Sequence, residues 1–246
     1  MIASQQFAGK PFCHHFQPIV DLVTRQVIGY EALFRCNAFK SPEEAYRQAI
    51  ADNRLYALDV CSIQAAATRF QQMNSRQGGN RLFINAYPST VMNDDFSDVL
   101  LPLHDQFQAS GLSIVLEIIE SEIISNFAAL SHVIKKFRQR GFCFAVDDFG
   151  KGMDNINRTI EMDADFIKLD RYFAAHLSKS EKKQAYVAFM ADYCQRFSVC
   201  SLLEGVETAE DAAIAAQLGI QFGQGNLFGP PGECVAIART GNKSSS

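Results

Sequence analysis

The chain is expected to fold as an α/β domain, a TIM-like (β/α)8 barrel carrying one antiparallel strand near its start. Two observations predict the barrel. Short apolar runs alternate with amphipathic helical stretches along the whole chain, the pattern of a parallel sheet covered by helices. The length, 246 residues with 48% hydrophobic content, suits one barrel and supplies a full core without staples. A third observation predicts the reversed strand. His15–Val20 and Val27–Phe34 are separated only by Asp21–Gln26, whereas a parallel crossover needs a dozen residues or more.

The remaining expected strands are Arg81–Ile84, Ser113–Leu116, Phe142–Val146, Phe166–Leu169, Val199–Leu203 and Ile220–Phe222. They are rich in Val, Ile, Leu and Phe and too short for helices, as strands buried on both faces are. Between them lie helix signals. Ser41-Pro42-Glu43-Glu44 reads as a capping box with Pro at the first helical position. Leu55–Met73 has apolar residues at helical spacing. Ser125–Arg140 stops before Gly141. Ser180–Phe197 is a long amphipathic stretch, and Thr208 opens a helix that ends before Gly219. No linker divides the chain, so residues 1–240 read as one domain and 241–246 as a flexible tail.

Charge and composition narrow the function. The net charge is −4, without the basic excess of a binder of large nucleic acids. No apolar run approaches ~18 residues, so no membrane segment is expected. Seven cysteines form no CxxC pair and read as reduced, buried thiols, consistent with a cytoplasmic protein. The five histidines share no metal-ligand spacing.

The informative pattern is what stands at the strand ends. Glu31 lies in the second strand. Asn85, Glu117, Asp147 with Asp148, Lys168 with Asp170, Glu204 and Gln224 stand at or after the later ones. In a barrel these ends converge on one rim. Several carboxylates in one cleft repel unless a cation compensates. Acid-rich oxygen sites with an Asn and no His or Cys suit Mg²⁺, Mn²⁺ or Ca²⁺. A pair of such ions is a known device for phosphodiester hydrolysis. The alternative is plain: loops begin after strands, and acids there cap the next helix. Lys168 in an apolar run needs a counter-charge, and a structural ion pair with Asp170 or Asp148 is its simpler explanation.

The same residues carry a family resemblance. Phe16-Gln17-Pro18-Ile19-Val20, Glu31-Ala32-Leu33, Asn85, Glu117-Ile118-Ile119-Glu120, Asp147-Asp148-Phe149-Gly150, Ile167-Lys168-Leu169-Asp170, Glu204-Gly205-Val206-Glu207-Thr208 and Gln224-Gly225 occur in order. The chain resembles the EAL domain family of cyclic di-GMP phosphodiesterases. The resemblance implies the barrel with its antiparallel strand and hydrolysis of cyclic di-GMP to linear pGpG in bacterial second-messenger signalling. It implies two Mg²⁺ or Mn²⁺ ions. One would be held by Glu31, Asn85, Glu117 and Asp147; the other would share Asp147 and use Asp148. Lys168 and Glu204 would orient and deprotonate water, with Glu204 the general base. Gln17, Glu31, Leu33, Arg35, Glu207 and Gln224 would line the nucleotide pocket. Glu120 would hold the Asp-Asp-Phe-Gly loop, and a homodimer would form near Met153–Ile156.

The chain departs from the pattern in that loop. Lys151 replaces a small hydroxyl residue and Met153 an aromatic, and Cys36 stands where a Trp usually follows Arg35. No proposed ligand is lost. The alternative function is a catalytically weak domain acting as a cyclic di-GMP receptor or a protein-interaction module.

Overall fold

The structure, a computed structural model, describes residues 5–7, 9–73, 80–119, 122, 126–149 and 159–233. Eight strands close into a barrel: β2 (Lys10–Asp21), β3 (Val27–Arg35), β4 (Arg81–Ala86), β5 (Ser113–Ile118), β6 (Cys143–Phe149), β7 (Phe166–Leu169), β8 (Cys200–Leu203) and β9 (Phe222–Gln224). A short β1 (Gln5–Phe7) adds to β2 from outside the ring. β3 to β9 pair parallel in sequence order, and β2 closes the ring antiparallel to both β3 and β9. The expected reversed strand is therefore present. A bulge at Ile28 interrupts its pairing with β3, where Ile19 faces Gly29 and Val20 faces Val27.

The described helices are α1 (Pro42–Ala51), α2 (Leu55–Met73), α3 (Pro88–Val91), α4 (Phe96–Ala109), α5 (Phe127–Arg138), α6 (Arg171–Ala174), α7 (Glu181–Arg196) and α8 (Ala209–Gln217). Ser41 caps α1 by accepting from the Glu44 amide, Ser180 caps α7 and Thr208 caps α8. Two expectations need correction. The cap of α5 is Asn126, whose side chain accepts from the Ala129 amide, so the helix is shorter than Ser125–Arg140. Helix α4 was not anticipated; Pro102 stands inside it, a residue that ordinarily interrupts a helix.

Strand ends also moved, with a consequence for the site. β4, β5 and β6 run past the expected limits to include Asn85, Glu117 and Asp147, so these residues keep the two-residue alternation of a strand. The barrel interior is plugged by Ile19, Phe83, Val115, Ala145, Phe166 and Leu202, with Phe222 against them. Two residues beyond each plug on the parallel strands stands a polar group: Asn85, Glu117, Asp147, Lys168, Glu204 and Gln224. On the reversed β2 the offset changes sign, and Gln17 stands two residues before Ile19. The opposite strand faces pack against helices. Leu82, Ile84, Leu116 and Phe144 meet α2, α4 and α5, while Ile167, Leu169 and Leu203 meet α7 and α8.

Candidate active site

The apolar plug forms the floor of a pocket whose walls are the polar residues one step higher. Its centre is Lys168 on β7, which is fully buried. The ammonium lies 2.7 Å from Glu117 Oε1, 2.8 Å from Glu204 Oε1, 2.9 Å from Asp147 Oδ1 and 3.6 Å from Glu31 Oε2. The counter-charges of Lys168 are thus the site carboxylates. Asp170 is not one of those four; it caps α6, accepting from the Tyr172 amide at 2.7 Å.

Neutral amides complete the ring. Asn85 Nδ2 donates to Glu31 Oε1 at 3.4 Å. Gln224 Nε2 donates to Glu31 Oε2 at 2.5 Å and to Gln17 Oε1 at 3.1 Å. Gln17 in turn donates to the Gly229 carbonyl at 3.2 Å. Gly225 makes room for this corner. Its φ is +155°, and a Cβ there would lie 2.2 Å from the Val206 carbonyl oxygen. The loop after β9 can therefore press on the backbone that follows Glu204, where the Val206 amide donates to the Gln224 carbonyl.

Leu33 and Arg35 lie two and four residues beyond Glu31 on β3, on the same strand face, rising toward the rim. Arg35 is half-buried and donates to the Phe34 carbonyl at 2.8 Å. Glu207 is exposed just ahead of the Thr208 cap. The side chain of Asp148, and Glu120, Lys151 and Met153, lie outside the described residues.

Four carboxylates face one ammonium, so the fully ionised cluster carries excess negative charge. Burial pushes the Glu204 carboxyl up to about 8; Lys168 opposes this, and Asp147 and Glu31 reinforce it. Burial, together with Glu31, holds Glu117 well above the carboxylate range. Burial alone would lower the Lys168 ammonium, but Asp147, Glu117, Glu204 and Glu31 together hold it well above the usual lysine value. Burial and mutual repulsion thus favour proton retention by the metal-free carboxylates, which titrate as a coupled group.

The donor set fits hard divalent cations. Both Glu117 oxygens and Asp147 Oδ1 are buried without a well-directed hydrogen bond, although the ammonium touches Glu117 Oε1 and Asp147 Oδ1. Oxygen atoms left in this state gain most from a cation. Among the described residues, no three His, Cys, Asp or Glu side chains are poised as a metal cluster as they stand; the Lys168 ammonium is their common partner. Metal loading would draw carboxylate oxygens away from it.

A second buried polar group, unanticipated in the sequence, lies behind this wall on α2. Asp59 is fully buried, and its Oδ2 accepts from the Tyr87 amide at 2.9 Å. One turn on, Ser62 Oγ lies 2.9 Å from His14 Nε2 on β2. An acid and a Ser inside the apolar Leu55–Met73 stretch were the available signal.

A closed barrel with one reversed strand carries at its mouth a ring of oxygen donors around one buried ammonium. The EAL domain family model matches residues 2–231, and the chain belongs to that family. Curated relatives include the blue light- and temperature-regulated antirepressor BluF of Escherichia coli K12, 28% identical over 217 residues, 87% of this chain and 52% of the relative. The cyclic di-GMP phosphodiesterase RocR of Pseudomonas aeruginosa is 28% identical, covering 88% of this chain and 56% of RocR. Another from the same organism, PA2567, is 29% identical over 88% of this chain and 38% of its own length. The chain thus spans between about two fifths and just over half of these relatives. Among solved structures, Klebsiella pneumoniae BlrP1 in complex with manganese and cyclic di-GMP superposes with a TM-score of 0.78 at 30% identity, covering 95% of this chain and 59% of BlrP1. A calcium complex of BlrP1 gives 0.79, covering 96% and 60%.

Proposed function

We propose that the chain hydrolyses one phosphodiester bond of cyclic di-GMP to give linear pGpG, with two Mg²⁺ or Mn²⁺ ions. The observation that carries this reading is the convergence of Glu31, Asn85, Glu117, Asp147 and Glu204 around Lys168, with carboxylate charge exceeding what one ammonium neutralises. Similarity to phosphodiesterases and to a manganese and cyclic di-GMP complex supports it.

Glu31, Asn85, Glu117 and Asp147 would hold one ion, and Asp147 with Asp148 the second. Bound there, such ions acidify water and neutralise phosphate charge. The chain's own residues do the rest. Glu204, with 18% of its side chain exposed, accepts the proton of the attacking water. Lys168 orients that water and offsets the repulsion among the carboxylates gathered around it. Arg35 offers its planar donor fork to a phosphate oxygen. Gln17 and Gln224 present amides able to donate and accept at guanine edges. Leu33 and Glu207 complete the pocket wall, and Glu120 supports the Asp-Asp-Phe-Gly loop.

The test is incubation of purified protein with cyclic di-GMP and Mn²⁺ or Mg²⁺, with products resolved by chromatography. Linear pGpG should form, and chelator or Glu31→Ala should stop it. Binding without turnover across metals and pH would replace this reading with a receptor. Absence of nucleotide binding would replace it with an interaction module, a reading to which the antirepressor relative lends one observation.

A homodimer and a cytoplasmic location belong to the same proposal. Among the described residues, free thiols at six cysteines suit a reducing compartment. No helix of the described residues is long and apolar enough to cross a membrane. The segment Met153–Ile156 lies outside the described residues, but next to it Ile160 is exposed. An aromatic stripe, Tyr186, Phe189, Tyr193 and Phe197, runs along and just past α7, with Tyr193 Oη donating to the Thr159 carbonyl. Exposed apolar patches of this kind mark association surfaces. Phe189→Glu should convert a dimer to a monomer in sedimentation with little change in melting temperature. An unchanged sedimentation coefficient would remove α7 from the interface.

A further inference from the structure

Helix α2 carries an acid where packing alone calls for an apolar side chain. Asp59 has no exposure, and its neighbours Leu58 and Ile63 are core residues. Burial lifts its carboxyl to about 7, despite the lowering effect of the hydrogen bond from the Tyr87 amide, while Oδ1 and the Thr90 hydroxyl have no well-directed partner. A buried carboxyl is destabilising compared with a well-packed apolar side chain of similar volume, so core stability does not account for it.

The backbone it holds is the exit of β4. The ladder between β4 and β5 ends at Ala86, which faces Ile118. The next amide, on Tyr87, donates to Asp59 Oδ2 instead, at 2.9 Å. Two residues before Tyr87 stands Asn85, whose amide reaches Glu31. Asn85 has a short side chain, so the placement of its amide follows its backbone closely. On the other side of β3, Ser62 of the same helix meets His14 of β2. Helix α2 thus grips the two strands that flank the one carrying Glu31.

We infer that Asp59 is a positioning residue for Asn85. By accepting the first amide beyond the β4 ladder, it fixes the strand end that presents the one neutral side chain of the metal set. The inference rests on the metal reading proposed above. Groups that orient metal ligands from behind are worth about 10–100-fold in metal affinity.

The experiment titrates Mn²⁺ alone into metal-free protein by calorimetry, with amide hydrogen exchange at Tyr87 as a second readout. Asp59→Asn keeps a carbonyl acceptor and should bind Mn²⁺ within about twofold of the parent. Asp59→Ala should bind about tenfold more weakly and exchange the Tyr87 amide faster. In an Asn85→Ala background the same change should cost no further affinity. Leu58→Ala, a cavity on the same helix, should lower the melting temperature without moving Mn²⁺ affinity. If Asp59→Ala does not fold, Asp59→Ser replaces it, since its hydroxyl stops one bond short of the amide. Parent-like Mn²⁺ binding in Asp59→Ala or Asp59→Ser, or an equal loss in Leu58→Ala, overturns the inference. If the parent itself binds no Mn²⁺, the metal reading has failed. The Tyr87 exchange rate and the Asn85 side-chain resonances of the variants then decide the positioning role by themselves.

Discussion

Lys168→Met should destabilise the metal-free protein by about 3–5 kcal/mol at pH 8, the range for removing one partner of a buried ionic cluster. Methionine reproduces the lysine stem as far as Cε and lacks only the ammonium, so the change removes chiefly the charge. What remains is Glu31, Glu117, Asp147 and Glu204 around an apolar tip. The loss should depend on pH in a defined direction. Glu204 and Glu117 have folded pKa values raised above their unfolded values, so the folded state binds these protons more tightly. The associated stability is fully present below about pH 4.5 and is lost as pH rises, for Glu204 through about 8, at up to about 1.4 kcal/mol per pH unit and proton. The variant should therefore be closest to the parent near pH 5 and furthest from it above pH 8. His14 slopes the opposite way between about 3 and 6.5, because burial, aided by Arg35, depresses its pKa to about 3. Asp59, raised to about 7, slopes with the glutamates. Both are common to the two proteins and cancel in the difference. Urea denaturation at pH 5, 6.5 and 8, with and without Mn²⁺, measures all of this. Mn²⁺ should stabilise the variant more than the parent, since it no longer displaces an ammonium. A pH-independent difference, or none, would show that the carboxylates do not depend on Lys168.

Much of this arrangement was legible because a barrel strand has a rigid grammar. The reversed β2 followed from a six-residue connection, and the convergence of Asn85, Glu117, Asp147 and Glu204 followed from their place at strand ends. What could not be read was where each strand stops. Apolar runs end when the interior plug ends, yet hydrogen bonding continues for another pair, as Asn85 facing Glu117 in the β4–β5 ladder shows. Glu31, Asn85, Glu117, Asp147, Lys168 and Gln224 are strand residues on the interior face, which gives them a stiffer backbone than loop residues would have; Glu204 stands one residue past β8. Lys168 shows a second limit. Its need for a counter-charge was legible, but Asp170, two residues on, was a poor guide, since it caps α6 instead. The four carboxylates that hold it come from β3, β5, β6 and the end of β8. Helix α4 contains Pro102, yet its Phe96, Leu100 and Phe107 are packed into the main core, so tertiary burial outweighs the propensity penalty. Asp59 escaped notice because its partner is a backbone amide, which no residue pattern reveals.

Glu204→Gln should lower kcat for cyclic di-GMP hydrolysis by about 10²–10⁴-fold, the span attributed to a positioned proton acceptor, while Mn²⁺ affinity changes little. Glutamine has the same shape and can still accept from Lys168, so the ion cluster loses one charge without losing its geometry. It cannot take a proton at neutral pH, which is the function in question. Glu117→Gln provides the contrast. Glu117 is fully buried on β5 and touches the ammonium at 2.7 Å, so as a proposed ligand its loss should appear first as weakened Mn²⁺ binding. The pH profile separates the two roles further. On the proposed role, deprotonated Glu204 is the active form, so kcat should fall on the acid side of its pKa. That value is about 8 without metal, and neighbouring cations should move it lower. Glu204→Gln should remove this acid limb together with most of the rate. Near-parental kcat with the limb intact would assign the proton to another group at the rim. Lost Mn²⁺ binding in Glu204→Gln would instead make Glu204 a ligand, and would leave the water without a proton acceptor on β8.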